Sequence, residues 1–323
     1  SDRMTKVSKI LNSKIELLDF LCYLNYLNLP YQSNLGFPEE LTYGLEIEYT
    51  KALYEEVKKT ILKPSSPFKY SPDSTVVKET SLGLRGGELI SPVLCDCKKD
   101  WLLIKQTLTK LRNLSAGVND SCALHIHVGS QVFQDNYSRW EQLLKLWVIY
   151  EPIFYYFAKG SANKIRDLAL KYAKPCRENI INNLKVDSSS KDIYSLIKCC
   201  TFRHASLYCG KVKDFTYQEG NTIEFRLFNG TLDEKIIQNN CRFLFNFLTK
   251  ISNYTFGMEE VNQLYDQIST SFSNCFQADF NSSFAYADLF FDQDSDKYYF
   301  LKQYFNLFEA PLDKIKELVR KSR

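Results

Sequence analysis

The chain has 323 residues, of which 45% are hydrophobic, and its 41 Lys and Arg against 38 Asp and Glu leave a formal charge of +3. This composition is typical of a folded globular protein and excludes disorder or low-complexity sequence over most of the length. The length corresponds to about two domains, or to one large domain with additions. A net charge so close to zero argues against a protein whose main role is to bind nucleic acid, because such proteins usually carry a basic stripe.

Cellular location is predicted from three absences in the sequence. Nothing approaches 18 uninterrupted apolar residues, so we expect no membrane span and no membrane partner. The ten cysteines form no C-x-x-C pair and do not have the spacing of a disulfide framework. With no signal segment at the start of the sequence, these features predict a reduced, intracellular, cytoplasmic protein.

Hydrophobic periodicity predicts interspersed helices and strands in an irregular order, which favours an α+β fold over a doubly wound sheet. In chain order, the predicted helices are 6–29, 51–63, 98–114, 138–158, short ones within 162–201, and 233–252. The predicted strands are 42–49, 74–78, 87–93, 122–128, 205–209 and 222–228. The Pro/Ser-rich stretch 64–73 predicts a loop. The chain beyond 254 is aromatic-rich and mostly helical, with a gap around 272–285.

Three of the predicted strands share an unusual pattern of side chains. They read Leu45-Glu46-Ile47-Glu48-Tyr49, Leu124-His125-Ile126-His127-Val128 and Ile223-Glu224-Phe225-Arg226-Leu227. Because alternate residues of a strand share a face, each strand has one apolar face and one face with two ionisable groups. Such alternation is ordinary for a sheet with one face in water, but those faces usually carry Thr, Lys, Ser or Gln.

If the apolar faces pack against helices, the ionisable faces converge inside a curved sheet. Two carboxylates ~4 Å apart repel by about 4 kcal/mol at an effective dielectric constant near 20. We therefore expect cations among Glu46, Glu48 and Glu224, with Glu88 as a further carboxylate after Gly86-Gly87. A mixed set of carboxylates and His suits Mg²⁺, Mn²⁺ or Zn²⁺, and a carboxylate-dominated set favours Mg²⁺ or Mn²⁺.

The familiar local motifs of other enzyme classes are absent. The sequence has no G-x-x-x-x-G-K-[ST] loop, no kinase catalytic loop, no G-x-S-x-G elbow and no H-E-x-x-H pair. A Ser or Cys nucleophile paired with His stays open, although nothing singles one out. A metal site in this chain must therefore be built across strands that lie far apart in sequence.

The ordered set of motifs resembles the amidoligase family, a branch of the glutamine synthetase and glutamate–cysteine ligase superfamily. The matching elements, from about residue 42 to 252, are Gly44-Leu-Glu46-Ile-Glu48, Asp73-Ser74, Gly87-Glu88-Leu-Ile-Ser91-Pro92, Leu124-His125-Ile-His127-Val-Gly129, Tyr150-Glu151-Pro152, Arg203 and Thr222-Ile-Glu224-Phe-Arg226-Leu-Phe-Asn-Gly230. The resemblance implies a catalytic domain over 42–253, between a helical segment at 1–41 and a C-terminal extension at 254–323.

The resemblance also implies a fold and a reaction. The fold is a curved antiparallel sheet, a half-barrel of the glutamine synthetase type, with helices on its outer face. The reaction is an ATP- and Mg²⁺-dependent ligation: ATP phosphorylates a carboxylate, and an amine then displaces phosphate from the acyl phosphate to form an amide or isopeptide bond. The partners implied are a carboxylate-bearing amino acid, peptide or protein and an amine donor.

Metal ligands are implied by the same resemblance. Glu46, His125 and Glu224 would hold one Mg²⁺ or Mn²⁺ near the transferred phosphoryl group. Glu48 and Glu88 would hold another near the substrate carboxylate, and Glu48 would also count among the catalytic residues. Phosphoryl transfer depends mainly on positioning and on stabilisation of charge, which metals and arginines supply.

The remaining candidate residues, some implied by the resemblance and Arg85 by its local sequence, would contact phosphate, nucleotide or substrate. The resemblance implies that Arg226 and Arg203 would neutralise phosphate charge that grows in the transition state, and that His127 would face the nucleotide or the phosphates. Arg85, in a Gly-rich turn, is a candidate phosphate donor that a solvated turn explains equally well. Asp73 is a candidate substrate contact, with an ordinary turn residue as the alternative.

Three further positions and two alternative functions complete the sequence-based hypotheses. Relatives tend to have Asn where this chain has Tyr208. Glu151, next to Pro152 in an apolar helix, predicts a helix break or a buried hydrogen bond, and not a catalytic role. His204 predicts a structural residue that points away from the site. The alternative functions are a catalytically inactive nucleotide- or metal-binding module, and a metal-dependent hydrolase that uses the same site.

Overall fold

The computed structural model describes residues 6–71, 85–186, 191–253, 255–271 and 279–322, although the side chains of Arg85 and Ser271 are not described. In these ranges, the chain forms seven strands, twelve α-helices and three short 3₁₀ helices. The strands are β1 (Thr42–Ala52), β2 (Lys69–Ser71), β3 (Arg85–Ile90), β4 (Leu94–Cys95), β5 (Ala123–Gly129), β6 (Leu207–Tyr208) and β7 (Thr222–Asn229). The helices are α1 (Lys14–Tyr26), α2 (Tyr54–Thr60), α3 (Lys98–Asn113), α4 (Tyr137–Phe157), α5 (Ala169–Tyr172), α6 (Arg177–Leu184), α7 (Ile193–Ile197), α8 (Glu234–Ser252), α9 (Met258–Ser271), α10 (Phe280–Phe290), α11 (Asp294–Tyr304) and α12 (Leu312–Lys321).

The strands form one open antiparallel sheet in the order β2-β3-β1-β5-β7-β6, and β4 pairs with the beginning of β1. The three strands with alternating ionisable residues, β1, β5 and β7, are neighbours at its centre. Helices and an antiparallel sheet therefore make up the described part of the chain, as the irregular order of predicted elements indicated.

The apolar face of the sheet lies under helices, as the alternation predicted. Tyr43 of β1 stacks on Trp101 of α3 with ring centroids 5.3 Å apart, and it also contacts Phe245 of α8. Trp147 of α4 contacts Phe225 of β7. Because this face is fully buried, a strand that slipped by one residue would put ionisable groups into the core, so burial fixes the register of the site.

Polar residues at the helix starts set where the long helices begin. The side chain of Asn136 accepts a hydrogen bond from Arg139 N at the start of α4, and Asp233 accepts one from Lys235 N at the start of α8. Helix α4 continues through Pro152, which agrees with the long helix predicted there.

The structure differs from the predicted elements at one edge of the sheet. Residues 69–71 were predicted to lie in a loop but form β2, because they pair with β3 and place Tyr70 opposite Leu89. Such pairing depends on a distant strand and leaves little local signal. The strand predicted at 74–78 lies outside the described residues.

The N-terminal and C-terminal segments pack against each other. Asp288 of α10 accepts hydrogen bonds from the backbone N–H groups of Val7 and Ser8. The Lys302 ammonium of α11 is buried and donates to three backbone carbonyls, those of Leu24, Asn25 and Leu307. These contacts join the segments 1–41 and 254–323, and the division into three parts stays a prediction.

Two further predictions concern membranes and cysteines. Among the described residues, no helix combines the length and hydropathy that a membrane crossing requires. The nine cysteines within the described ranges are all free thiols, and most of them are buried.

Candidate functional site

Strand register brings the ionisable residues of the central strands together. Glu46 of β1 lies directly opposite His125 of β5, and His127 of β5 lies directly opposite Glu224 of β7. Directly opposite residues of antiparallel strands project from the same face. The four side chains therefore meet on the face that is not covered by α3, α4 and α8, as the sequence predicted.

His125 is buried and lies between the carboxylates of Glu46 and Glu224. Its Nδ1 lies 2.8 Å from Glu46 Oε2 and 3.4 Å from Glu224 Oε1. Burial lowers the pKa of His125, and the neutral ring donates through Nδ1–H to Glu46. Burial by itself would raise the pKa of Glu46, but the contacts with His125 and His127 outweigh it and hold this pKa well below its ordinary value.

His127 has the geometry of a metal ligand. Its Nε2 is buried and lies 2.9 Å from Glu46 Oε1, yet the two atoms are not aligned as a hydrogen bond. Adjacent ligands of an octahedral Mg²⁺ at about 2.1 Å stand about 3 Å apart, so this separation fits two ligands of one ion. Ligand atoms of Glu46, His127 and Glu224 all lie within 4.8 Å of one another. Within the described ranges, no other group of three possible ligands meets this criterion.

This cluster differs from the predicted one, in which His125 had the place that His127 takes. His127 lies opposite Glu224 within a regular stretch of pairing, and the register between β5 and β7 shifts by one residue only before that stretch, between Leu124 and Ile126. His125, directly opposite Glu46 on the neighbouring strand, hydrogen-bonds its carboxylate through Nδ1. The consecutive apolar residues Leu227 and Phe228, both buried, are the sequence signal of this irregularity.

A second pair of carboxylates lies further along β1. Glu48 faces Glu88 of β3 directly across the strand pair, and both residues line the same cavity as Glu46. Glu48 is 3% exposed, which is unusual for a carboxylate. The sheet thus brings together the two residues that the sequence predicted for a second ion.

The cavity above these strands has a volume of about 460 Å³ and an equal number of formal charges of each sign. Its four acidic residues are Glu46, Glu48, Glu88 and Glu224, and its four basic residues are Arg166, Arg203, Lys211 and Arg226. Arg226 Nη1 lies 2.6 Å from Glu224 Oε1, and Lys211 Nζ lies 3.6 Å from Glu224 Oε2. The protein therefore supplies counter-ions of its own, which the sequence argument for a metal did not anticipate.

Burial and counter-ions act in opposite directions on Glu224. This residue is 1% exposed, and burial would raise its pKa. Its electrostatic interactions with His127, His125 and Arg226 outweigh that effect and lower the pKa of Glu224. The carboxylate consequently stays ionised at neutral pH and can serve as a ligand.

A smaller cavity of about 190 Å³ adjoins the first one. The two cavities share Glu46 and Lys211, so the cluster of Glu46, His127 and Glu224 lies at their junction. The smaller cavity is lined mainly by apolar or uncharged groups, including Pro92, Val93, Tyr217, Gly220 and Thr222. A site open on two sides suits the binding of two ligands.

Sequence reasoning missed several residues that line the larger cavity, namely Arg166, Tyr172, Thr201, His204 and Lys211. All five lie in turns, short helices or loops, where no alternation indicates which side chain faces the site. His204 was predicted to point away from Arg203. Its left-handed backbone, with a φ of 66°, turns the chain so that both residues line the cavity.

The other sequence candidates have different outcomes. Asp73 lies outside the described residues, and so does the side chain of Arg85, whose backbone begins β3. Tyr208 lies opposite Glu224 and lines the cavity. Glu151 is fully buried and accepts hydrogen bonds from Trp147 Nε1 at 2.6 Å and from the backbone N of Cys176 at 2.8 Å, so the predicted buried hydrogen bond is confirmed.

Comparison with known families agrees with the order of motifs in the sequence. A family described as "Putative amidoligase enzyme" matches residues 39–248, which is well over half of the chain. The chain belongs to the amidoligase family. Membership supports an enzyme of the ligase class that joins a carboxylate to an amine.

Comparisons with individual proteins add little to the family assignment. No curated protein matches the chain. A solved structure of a bifunctional glutathione synthetase from Pasteurella multocida aligns with 12% identity and a TM-score of 0.38, over 96% of this chain and 49% of that one. The amidoligase chain thus spans about half the length of that protein.

Proposed function

We propose that this amidoligase is an ATP- and Mg²⁺-dependent carboxylate–amine ligase that forms an amide or isopeptide bond through an acyl phosphate. The observation that carries the proposal is the cluster of Glu46, His127 and Glu224, next to Arg226 and at the junction of two cavities. An ion site and a guanidinium at one point are the two elements that phosphoryl transfer needs.

The two cavities favour a division of the site into a nucleotide side and a substrate side. The smaller cavity, with apolar residues and Tyr217, suits the planar base of a nucleotide. The larger cavity, with its basic residues, suits the phosphates and the substrate carboxylate. We propose that the sheet is a half-barrel of the glutamine synthetase type, whose concave face holds both cavities.

The proposed ion ligands follow the two groups of carboxylates. Glu46, His127 and Glu224 fit one ion by the spacing of their ligand atoms, with His125 orienting Glu46 through its hydrogen bond. Glu48 and Glu88 face each other and supply oxygen ligands for a second. Bound Mg²⁺ would supply positive charge that lowers the repulsion between the reacting carboxylate and the phosphates.

The reaction needs two displacements, and the residues of this chain orient the groups and stabilise charge in both. An oxygen of the substrate carboxylate attacks the γ-phosphorus of ATP, and ADP leaves with the electrons of the broken P–O bond. The amine nitrogen then attacks the acyl carbon, phosphate leaves, and the nitrogen loses a proton to water. Arg226 and Arg203 act on the phosphoryl oxygens, where charge accumulates in both steps.

A labelling experiment tests the acyl phosphate directly. The purified protein is incubated with Mg-ATP, an amine and a panel of carboxylates that carry ¹⁸O in the carboxyl group, and the phosphate is analysed by mass spectrometry. The proposal predicts that each turnover transfers one ¹⁸O from the carboxylate to phosphate. Phosphate without label across a panel that supports turnover would refute the acyl phosphate.

Variants connect this reaction to the site. Glu46→Gln and Glu224→Gln should each abolish carboxylate-dependent ADP release while the protein stays folded, because each removes an ion ligand. Glu317→Gln is the matched control, since Glu317 is a partly exposed carboxylate of α12 that pairs with Arg320, outside both cavities. Full turnover in both site variants would refute the proposed site.

Nucleotide binding separates this proposal from the two alternatives. A ligand at ~100 times its Kd stabilises the folded state by about 2.7 kcal/mol, which thermal unfolding detects. Stabilisation by Mg-ATP without turnover on any substrate would favour the inactive binding module. Cleavage of a substrate without nucleotide would favour the metal-dependent hydrolase.

A further inference from the structure

The Glu151-Pro152 pair is an element of the family resemblance that the proposed reaction does not use. Both residues lie within helix α4, on the covered side of the sheet, and they line neither of the two cavities. Glu151 is fully buried. A core carboxylate is unfavourable unless hydrogen bonds replace its hydration, and a Pro inside a helix removes one hydrogen bond. The stability of α4 therefore does not explain the pair.

The pair binds the beginning of helix α6 at two points. The Glu151 carboxylate accepts a hydrogen bond from the backbone N of Cys176 at 2.8 Å. Pro152 has no N–H, so the carbonyl oxygen of Val148, four residues earlier, loses the donor that a regular helix would supply. The side chain of Arg177 takes that place, because its Nε donates to the Val148 oxygen at 2.7 Å. Two consecutive residues at the start of α6 are thus bound to one turn of α4.

The chain just before α6 is the outer neighbour of the segment that leads into β6. Lys174 forms a parallel bridge with Ala205. In this bridge, Lys174 N donates to the carbonyl oxygen of His204 at 2.6 Å, and Ser206 N donates to that of Lys174 at 2.8 Å. The hydroxyl of Ser206 also donates to the Glu151 carboxylate, at 3.4 Å. Glu151 therefore contacts both of the segments that meet at this bridge.

The segment fixed in this way forms part of the wall of the larger cavity. Strand β6 has only two residues and lies at the edge of the sheet, so its pairing with β7 alone gives it little support. Arg203 and His204 line the cavity just before the fixed residues, and Tyr208 lines it just after them. The carbonyl oxygen of Ser206 accepts a hydrogen bond from Arg226 N at 2.9 Å, which extends the contact to β7.

We propose that Glu151 is a positioning residue, which holds the segment 203–208 against α4 and α6 and thereby sets the place of Arg203 in the larger cavity. Pro152 contributes by freeing a carbonyl of α4 that then binds the start of α6. This inference rests on the proposed ligase function, in which Arg203 acts on the phosphoryl oxygens. Glu151 touches neither substrate nor nucleotide, and its effect on binding passes through the backbone that carries Arg203.

Nucleotide affinity of the folded variants tests the proposal without turnover. Calorimetry measures the binding of a non-hydrolysable ATP analogue with Mg²⁺, at a temperature where thermal unfolding shows each variant to be folded. Glu151→Leu has no acceptor for Cys176 N or for the Ser206 hydroxyl, and we expect it to bind the analogue about 10-fold more weakly, as the loss of one charged hydrogen bond allows. Glu151→Gln keeps an accepting oxygen and should retain most of the affinity.

Two further variants separate positioning from stability. Lys302→Met is the matched control, because it removes a different buried charge, between the terminal segments, and should leave the affinity unchanged. Pro152→Ala supplies an N–H for the Val148 carbonyl within α4, where it competes with Arg177 and removes an unfavourable residue from the helix. We expect Pro152→Ala to be at least as stable as the wild type and yet to bind the analogue several-fold more weakly.

Hydrogen exchange provides a measurement without any ligand. Glu151→Leu should exchange the backbone amides of residues 204–208 faster than the wild type, because the contacts that hold this segment are lost. Exchange at the same amides should be unchanged in Lys302→Met.

Wild-type affinity in folded Glu151→Leu, or an equal loss of affinity in Lys302→Met, would overturn the proposal. If Glu151→Leu does not fold, Pro152→Ala decides, and wild-type affinity in that variant would overturn it. These results differ from failure of the ligase proposal. A wild-type protein that does not bind the analogue would refute the proposed function and this inference with it, whereas equal binding by the wild type and the variants would refute only the positioning role.

Discussion

Replacing Glu151 with Gln should remove a pH dependence of stability that the wild-type protein has between about pH 5 and 8. Glu151 lies in the core, where burial raises its pKa from 4.5 to about 7. One carboxyl oxygen accepts the hydrogen bonds from Trp147 and Cys176, and the other has no partner among the described residues. Arg177 is the positive neighbour that lowers this pKa, but its effect is smaller than that of burial.

The direction of the effect follows from proton binding. Between pH 4.5 and 7 the folded protein keeps a proton on Glu151 that the unfolded chain releases, so the free energy of unfolding falls as pH rises. The pKa of Glu151 differs by about 2.5 between the two states, and ~1.4 kcal/mol for each pKa unit gives a loss of about 3 kcal/mol. The Gln side chain is neutral at every pH, so Glu151→Gln should not lose this stability.

Denaturant unfolding of both proteins between pH 5 and 8 measures the effect. The difference between their free energies of unfolding cancels all other titrating groups, which both proteins share. This difference should change by about 3 kcal/mol in favour of Glu151→Gln as pH rises. The amide left without a partner would cost roughly 1 to 3 kcal/mol at every pH, which changes the baseline but not the slope. A difference that stays constant across this range would refute the reasoning.

Three further predictions concern other buried charges and the ion sites. Burial lowers the pKa of Lys159 from 10.5 to about 7. Between pH 7 and 10 the unfolded chain therefore binds a proton that the folded protein lacks, and the free energy of unfolding should rise with pH. Denaturant unfolding of Lys159→Met should lack that rise, and an equal rise in both proteins would contradict the prediction. Lys302→Met removes the ammonium that donates to three backbone carbonyls and should cost about 3 kcal/mol, with faster hydrogen exchange in α1. Unchanged exchange there would contradict the contact between the two terminal segments. With a non-hydrolysable ATP analogue present, titration should find two bound Mn²⁺ ions per wild-type chain and one per Glu88→Gln chain. Two bound ions in the variant would show that Glu88 is not a ligand.

The sequence predicted the strands of the site well, because alternation is a local property. Glu46 and Glu48, or Glu224 and Arg226, share a face whatever the rest of the chain does. Which residue of one strand faces which residue of the next depends on register: His127 lies opposite Glu224 and groups with it and Glu46, whereas the resemblance implied His125. Register is set by the packing of the whole apolar face, so a single strand carries little of that information.

Arg166 was missed for a related reason. It lies in an irregular segment between α4 and α5, where neither helical nor strand periodicity indicates a direction for its side chain. Its place in the cavity is set by Asn229, 63 residues further along the chain. The sequence resemblance did include Asn229, but as part of a motif whose contacts only the folded chain reveals.

The balance of charge in the cavity leads to a last prediction about the order of binding. Its four carboxylates are matched by four basic side chains, so the cavity is formally neutral before any ligand binds. A divalent ion alone would add uncompensated charge at a distance of a few ångströms from Arg226, whose Nη1 lies 2.6 Å from Glu224. A nucleotide alone would bring its phosphates close to the same carboxylates.

Metal and nucleotide together offset each other's charge, so each should strengthen the binding of the other. The coupling is reciprocal by necessity, and a typical coupling of 1–3 kcal/mol corresponds to about 5- to 150-fold in affinity. Calorimetric titration of Mn²⁺ with and without a non-hydrolysable ATP analogue measures it, after correction for Mn²⁺ bound by the free analogue. Replacing Arg226 with Gln should strengthen the binding of Mn²⁺ alone and weaken the coupling, because Glu224 then lacks its counter-ion. Equal affinity for Mn²⁺ in the presence and absence of the analogue would mean that the internal ion pairs do not govern ligand binding.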